Sequence, residues 1–224
     1  MKSAGPRDAA AFEVRDALSG PGCVVCHLSV RSVSRLIRSI AYEQVNDVGL
    51  REQLRRAAGF CNVHAYQWLA DARSVLGTAL IYRDVLNACL AELEPGSRRG
   101  GRLRGLLGGG QAEANCPLCE AQTEAEARYV ESLVGVVAAE TALANDCDGL
   151  CRRHLLAAMR LGGAGADVLV QRTRSVVTQM LIELEEVIRK EDYRFRDEAR
   201  SEGERTVPAR AIAWAAGADG LSGD

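Results

Sequence analysis

The chain has 224 residues, 47% of them hydrophobic and only 4% aromatic, with a net charge of −2. That length suits one large domain or two small ones, and the near-neutral balance excludes the broad basic footprint through which most proteins hold nucleic acid. Twenty-two glycines and few aromatics leave the core to Leu, Val, Ile and Ala, which favours helices over sheets.

No segment reaches the roughly 18 uninterrupted apolar residues of a membrane span, and residues 1–11 lack an apolar run of signal-peptide length. The expected location is therefore cytoplasmic, where eight cysteines serve better as thiolate ligands or buried thiols than as disulfides.

In chain order, residues 8–18 read as a lead-in helix, ended by Ser19-Gly20-Pro21-Gly22. The knuckle Cys23-Val24-Val25-Cys26 follows at once. From Ser29 to Gln44 the apolar residues Val33, Leu36, Ile37 and Ile40 recur at helical spacing. Asn46-Asp47 then caps a short helix with Leu50 and Leu54 that stops at Gly59. Phe60-Cys61 opens the next element. Beyond His64 the apolar stripe Trp68, Leu69, Ala72, Val75, Leu76, Leu80, Leu86, Leu90 and Leu93 predicts a helix interrupted at Gly77 and stopped by Pro95-Gly96. Residues 95–115, rich in Gly and Arg, read as a flexible linker.

The second half replays the first. The knuckle Cys116-Pro117-Leu118-Cys119 leads a helix with Val130, Leu133, Val134 and Val137, a turn spans residues 146–149, and Cys151 and His154 open a short helix to Met159. A long amphipathic helix is expected from Asp167, continued by a charged helix from Arg189 to about Glu202. Pro208 is expected to start a last short helix that docks through Ile212 and Trp214, before a frayed tail at 217–224. The expected fold is thus all-α: two related helical modules from an internal duplication, residues 1–94 and 116–216, joined by the linker at 95–115.

The duplicated cysteine and histidine pattern carries the chemistry. Cys23, Cys26, Cys61 and His64 in one half match Cys116, Cys119, Cys151 and His154 in the other. Two cysteines two residues apart can wrap a tetrahedral ion, and a Cys and His three apart share one face of a helix's first turn. Each half is expected to supply its own Cys3His zinc site at helix N-termini, giving two Zn²⁺ per chain, with an iron–sulfur cluster as the alternative. Glu43 and Glu140 are candidates to orient the ligand histidines. His27 is incidental, Cys89 reads as a buried apolar thiol, and Cys147 as a free thiol in a polar turn. Once the metal residues are assigned, no Ser/His/Asp or Cys/His catalytic set remains, so an enzyme is not expected.

These motifs resemble a prokaryotic family known as a domain of unknown function, marked by a C-P-x-C knuckle and a G-F-C-x-x-H segment, both repeated. The matching residues are Cys23, Cys26, Gly59-Phe60-Cys61 and His64, then Cys116-Pro117-Leu118-Cys119, Gly149-Leu150-Cys151 and His154. Residues 188–194 and the Trp214 segment are also similar. The sequence departs from the pattern at Val24, where Pro is missing, and at Leu150, which replaces Phe; neither removes a ligand. The resemblance implies the architecture and brings no established activity.

The expected function is a structural-zinc binding or adaptor module with a protein partner. One alternative is a redox or metal sensor, motivated by Cys147 and the linker. The other is a nucleic-acid-binding regulator, motivated by the arginines of 98–104 and by Arg152-Arg153 and opposed by the missing basic face.

Overall fold

The computed structural model describes residues 6–93, 116–195 and 197–221. No strand occurs among them, in agreement with the all-α expectation. The expected linker at 95–115 lies wholly outside the described residues. The helices are α1 (Pro6–Ala17), α2 (Val24–Ser39), α3 (Val48–Ala57), α4 (Asn62–Asp71), α5 (Val75–Leu93), α6 (Pro117–Ala139), α7 (Arg152–Leu161), α8 (Ala164–Lys190) and α9 (Glu202–Ala216). A π-helical turn, Ile40–Gln44, follows α2, and a 3-10 turn, Thr141–Asp146, follows α6.

The chain divides into two compact units, and the division corrects the expected one at 95–115. The first unit takes residues up to Val30 together with Glu124–Leu221; the second takes Arg31–Thr123. Each boundary falls inside a helix, α2 or α6, so each unit is assembled from both halves of the sequence. The physical reason lies in the apolar faces of those helices. The early residues of α2, Val24, Val25 and Leu28, belong to one core with Tyr129, Leu133 and Val137 of α6 and Leu169 of α8. The later ones, Val33 and Ile37, belong to another, with Ile40 of the π-helical turn and Phe60, Trp68, Ile81 and Val85.

Within the second unit, Asp47 caps α3 as the sequence indicated, its carboxylate accepting from the Leu50 N–H at 2.7 Å. Ala58 in the left-handed region ends that helix, and its N–H donates to the Leu54 carbonyl. The break before α5 lies at Arg73, with φ of 46°, and not at Gly77. Gly77 sits in the first turn of α5 because a Cβ there would stand 3.2 Å from the Ala41 carbonyl oxygen and 2.9 Å from Ser74 Oγ. Of the apolar stripe that predicted this helix only Trp68 and Ala72 are buried, whereas Leu69, Val75, Leu76, Leu86, Leu90 and Leu93 are exposed; the core face of α5 is instead Ile81 and Val85, which the stripe omitted.

Within the first unit, α8 begins at Ala164 and packs closely on α6. A Cβ at Gly165 would fall 2.1 Å from the Val134 carbonyl oxygen, so only glycine permits this approach. The helix ends at Lys190, and turns replace the charged helix expected to run on to Glu202. Ser201 starts α9 with a capping box: its hydroxyl accepts from the Glu204 N–H, and Glu204 accepts from the Ser201 N–H, each at 3.2 Å. This early cap explains why Pro208 lies inside α9 rather than at its start. Lys190 is buried against Glu204 at 2.8 Å and also donates to the Ala199 carbonyl, tying the end of α8 to the start of α9. Ile212 is 69% exposed and docks nothing, while Trp214 is half-buried. Residues 217–221 are not frayed; a Cβ at Gly220 would lie 3.8 Å from Val30. Residues 222–224 lie outside the described residues.

Trp68 is the largest side chain of the second core. It stacks on Phe60 with ring centroids 5.1 Å apart, and its indole N–H donates to Thr78 Oγ1 at 3.0 Å. Trp68→Ala should therefore destabilise the protein by about 3–5 kcal/mol, read as a lower denaturation midpoint in urea.

Candidate metal centres

The Cys-x-x-His pair of each half is delivered by a similar local device. In the first, Gly59 has φ of 107° and Cys61 stands just before α4; in the second, Gly149 has φ of 85° and Cys151 stands just before α7. A glycine two residues before the cysteine lets the chain turn through a conformation other residues resist. The cysteine then occupies the N-cap with extended backbone, at ψ 167° and 161° respectively, and its sulfur makes no capping bond to the helix. Leu150 N–H donates to Thr173 Oγ1 at 3.0 Å and steadies the second device against α8.

The knuckles use helix starts as well. Cys23 precedes α2 and its carbonyl accepts from the His27 N–H at 3.1 Å; Cys116 precedes α6 and its carbonyl accepts from the Cys119 N–H at 2.9 Å. Pro117 takes the first helical position, where its missing N–H costs nothing. His27 points outward and is exposed.

All eight candidates come together, but not in the expected pairing. Each half does not complete its own set. Cys23 and Cys26 meet Cys151 and His154 in the first unit, and Cys61 and His64 meet Cys116 and Cys119 in the second, the donor atoms of each group lying within 4.8 Å of one another. Each group can hold one metal ion. In the first, His154 Nδ1 lies 3.4 Å from Cys23 Sγ, 3.4 Å from Cys26 Sγ and 3.2 Å from Cys151 Sγ. In the second, His64 Nδ1 lies 3.3 Å from Cys61, 3.7 Å from Cys116 and 3.3 Å from Cys119. The Cys26–Cys151 and Cys119–Cys61 sulfurs are each 3.5 Å apart, and all eight cysteines are free thiols.

The outward nitrogens of both histidines face α6. His64 Nε2–H donates to Gln122 Oε1 at 3.1 Å. His154 Nε2 lies 3.5 Å from Glu126 Oε2, a contact at the outer edge of hydrogen-bond range, and the same carboxylate pairs with Arg153 at 2.9 Å. Gln122 and Glu126 are buried and four residues apart, hence on one face of α6. Their signal was present in the sequence as two polar residues three and seven positions beyond Cys119, in line with the ligand. Glu43, by contrast, accepts from Ser39 Oγ, and Glu140 is exposed; neither touches a ligand histidine.

The donors of the first group shift one another's protonation. Burial, with contacts to Cys151 and Cys26, pushes the Cys23 thiol well above its ordinary range. Contacts with Cys23, Cys26 and His154 hold Cys151 as a thiolate despite burial. Burial alone would lower His154, but Cys151, Cys26 and Glu126 together push it up to about 11. Without a metal, the imidazole thus holds a proton against the sulfurs. Cys147, read as the thiol of a polar turn, is fully buried; burial raises its pKa, and its Sγ lies 3.3 Å from the Gly149 N–H. Cys89 is half-buried beside the second core.

No family model matches the chain, and no solved structure matches it. A 66-residue stretch is 39% identical to the "Uncharacterized 23.9 kDa protein in xynA 3'region" of Caldicellulosiruptor sp. (strain Rt8B.4). That stretch covers 30% of this chain and 32% of the relative, so the match spans about a third of each.

A metal entering the first group must displace the proton that His154 holds up to about pH 11. Metal affinity should therefore rise with pH through the neutral range, by about tenfold per pH unit for each proton released. Competition titrations against a chelator of known affinity between pH 6 and 8 measure the slope.

Proposed function

We propose that the protein is a zinc-stabilised helical binding or adaptor module with two structural zinc ions per chain, working in a reducing, cytoplasmic setting on a protein partner. The observation that carries this reading is the completeness of each donor set. With Zn–S bonds of about 2.3 Å and Zn–N bonds of about 2.0–2.1 Å, a tetrahedral ion separates its sulfurs by about 3.8 Å and its sulfur and nitrogen by about 3.5 Å. The sulfur pairs at 3.5 Å and the sulfur–nitrogen pairs at 3.2–3.7 Å lie within a few tenths of those edges.

Four protein donors fill a tetrahedral ion, which supports a structural rather than a catalytic role, since catalytic zinc keeps a position for water or substrate. The tight spacing also favours a single ion over an iron–sulfur cluster, whose cysteines are divided among several irons. The matching local geometry at Cys61 and Cys151 supports an origin by internal duplication.

The redox-sensor reading loses its motivating thiol, because Cys147 is sealed in the core. The nucleic-acid reading loses one of its arginines to the pair between Arg153 and Glu126. The remaining arginines invoked for it, at 98–104, lie outside the described residues.

Elemental analysis of purified protein should find about two zinc ions per chain, and stripping them should collapse helicity in circular dichroism. Structural zinc contributes about 10–16 kcal/mol where a whole domain is stable by about 5–15 kcal/mol. Protein that is folded and cooperative with no metal bound would overturn the reading.

A further inference from the structure

Resting on the metal reading above, we propose that the two centres are unequal: the ion held by Cys61, His64, Cys116 and Cys119 is the exchangeable one, the ion held by Cys23, Cys26, Cys151 and His154 is retained, and the residues at 122 and 126 of α6 set much of the difference.

Three observations point the same way. The first is cover. In the retained centre Cys26, Cys151 and His154 are buried and only Cys23 is half-buried; in the exchangeable centre Cys61 and Cys119 are both half-buried. A thiol-reactive molecule or a competing chelator reaches metal through its exposed sulfurs, so two half-open sulfurs give it a bidentate approach.

The second is a roof. The backbone beyond α9 closes on the retained centre, since a Cβ at Gly217 would stand 3.9 Å from Cys26 Sγ, and α9 packs against α7, whose first turn carries His154. Removing an ion from the first unit therefore requires moving a packed C-terminal element.

The third is the partner of each histidine. The group facing His154 Nε2 is the Glu126 carboxylate, 3.5 Å away and held in place by Arg153 at 2.9 Å, whereas His64 Nε2 is hydrogen-bonded at 3.1 Å to the neutral Gln122 amide. A carboxylate behind a metal-bound imidazole raises the electron density of the ligating nitrogen and fixes the ring, and loss of such an outer partner weakens metal binding by about 10–100-fold. An amide fixes the ring with a weaker pull. Only one carboxyl-for-amide exchange, four residues along the same helix face, separates the two arrangements.

The test uses the full-length, zinc-loaded protein and a chromophoric chelator that reports released zinc. Two phases of one ion each are expected. Alkylating the protein after the first phase and mapping the labelled peptides should place the label on Cys61, Cys116 and Cys119, with Cys23, Cys26 and Cys151 protected. Gln122→Glu should slow the first phase about tenfold and Glu126→Gln should speed the second by a similar factor, both in proteins whose helicity matches the parent before chelator is added. Release of both ions in one phase, or first labelling at Cys23, Cys26 and Cys151, overturns the inference while leaving two bound ions intact. Protein that carries no metal at the start overturns instead the reading on which it rests. The peptide map of the unsubstituted protein decides the order of release even if a variant fails to fold.

Discussion

In each group three sulfurs and an imidazole nitrogen converge within 4.8 Å of one another, a donor set that suits a single cation. A dipositive ion held by three thiolates would leave each centre with one net negative charge, and backbone dipoles stand where they would offset it. Every ligand pair stands at a helix start: Cys23 before α2 and Cys151 before α7 in one centre, Cys61 before α4 and Cys116 before α6 in the other. A helix N-terminus carries about half a positive charge, so two per centre come close to cancelling the excess. Much of the architecture follows from this one requirement, because four helices must begin at two points.

Around those points the two units differ in how they spend their polar groups. Both histidine partners come from α6, while the positions three and seven beyond Cys26 on α2 hold Ser29 and Val33. Ser29 is buried with its hydroxyl unpartnered among the described residues, and Val33 is core. The helix after the second knuckle therefore does chemical work for both centres, and the helix after the first is mainly a packing element. The two motif copies are alike in their ligands and unlike in the surroundings that tune them.

Much of this was legible in the sequence, and the legible part was local. The eight ligand candidates, the Asp47 cap, the stop at Gly59 and the helices after each histidine all depend on residues a few positions apart. What escaped was whatever depends on the opposite wall of a contact. An apolar stripe in α5 does not reveal that Ile81 and Val85 meet a core while Leu86 and Leu90 meet none. Pro208 was placed by its own preference for a helix start, yet the reciprocal bonds of Ser201 and Glu204 begin α9 earlier. Gln122 and Glu126 follow Cys119 at helical spacing, yet one residue at a time a buried amide and carboxylate look like any solvated helix face.

The exchange of ligands between halves is the deepest case. Spacing favours a nearby partner only through loop closure, and that preference is slight. Cys26 meets Cys151 across 125 residues and Cys119 meets Cys61 across 58, where the within-half choice would have closed about 35. Since closure entropy grows only as the logarithm of length, the longer interval costs about 1 kcal/mol more, small beside the roughly 10–16 kcal/mol that a structural zinc ion contributes. The choice of partner is then left to the cores. Helix α2 has its knuckle at one end, in the first core with Val24 and Leu28, while its later residues Val33 and Ile37 share the second core with Trp68 of α4. A continuous helix cannot fold back to bring Cys26 to the start of α4 without abandoning one of those cores. Helix α6 carries the same constraint in reverse, with Leu118 in one core and Tyr129 and Leu133 in the other. Because α2 and α6 each contribute residues to both cores, each knuckle finds its cysteine and histidine in the opposite half.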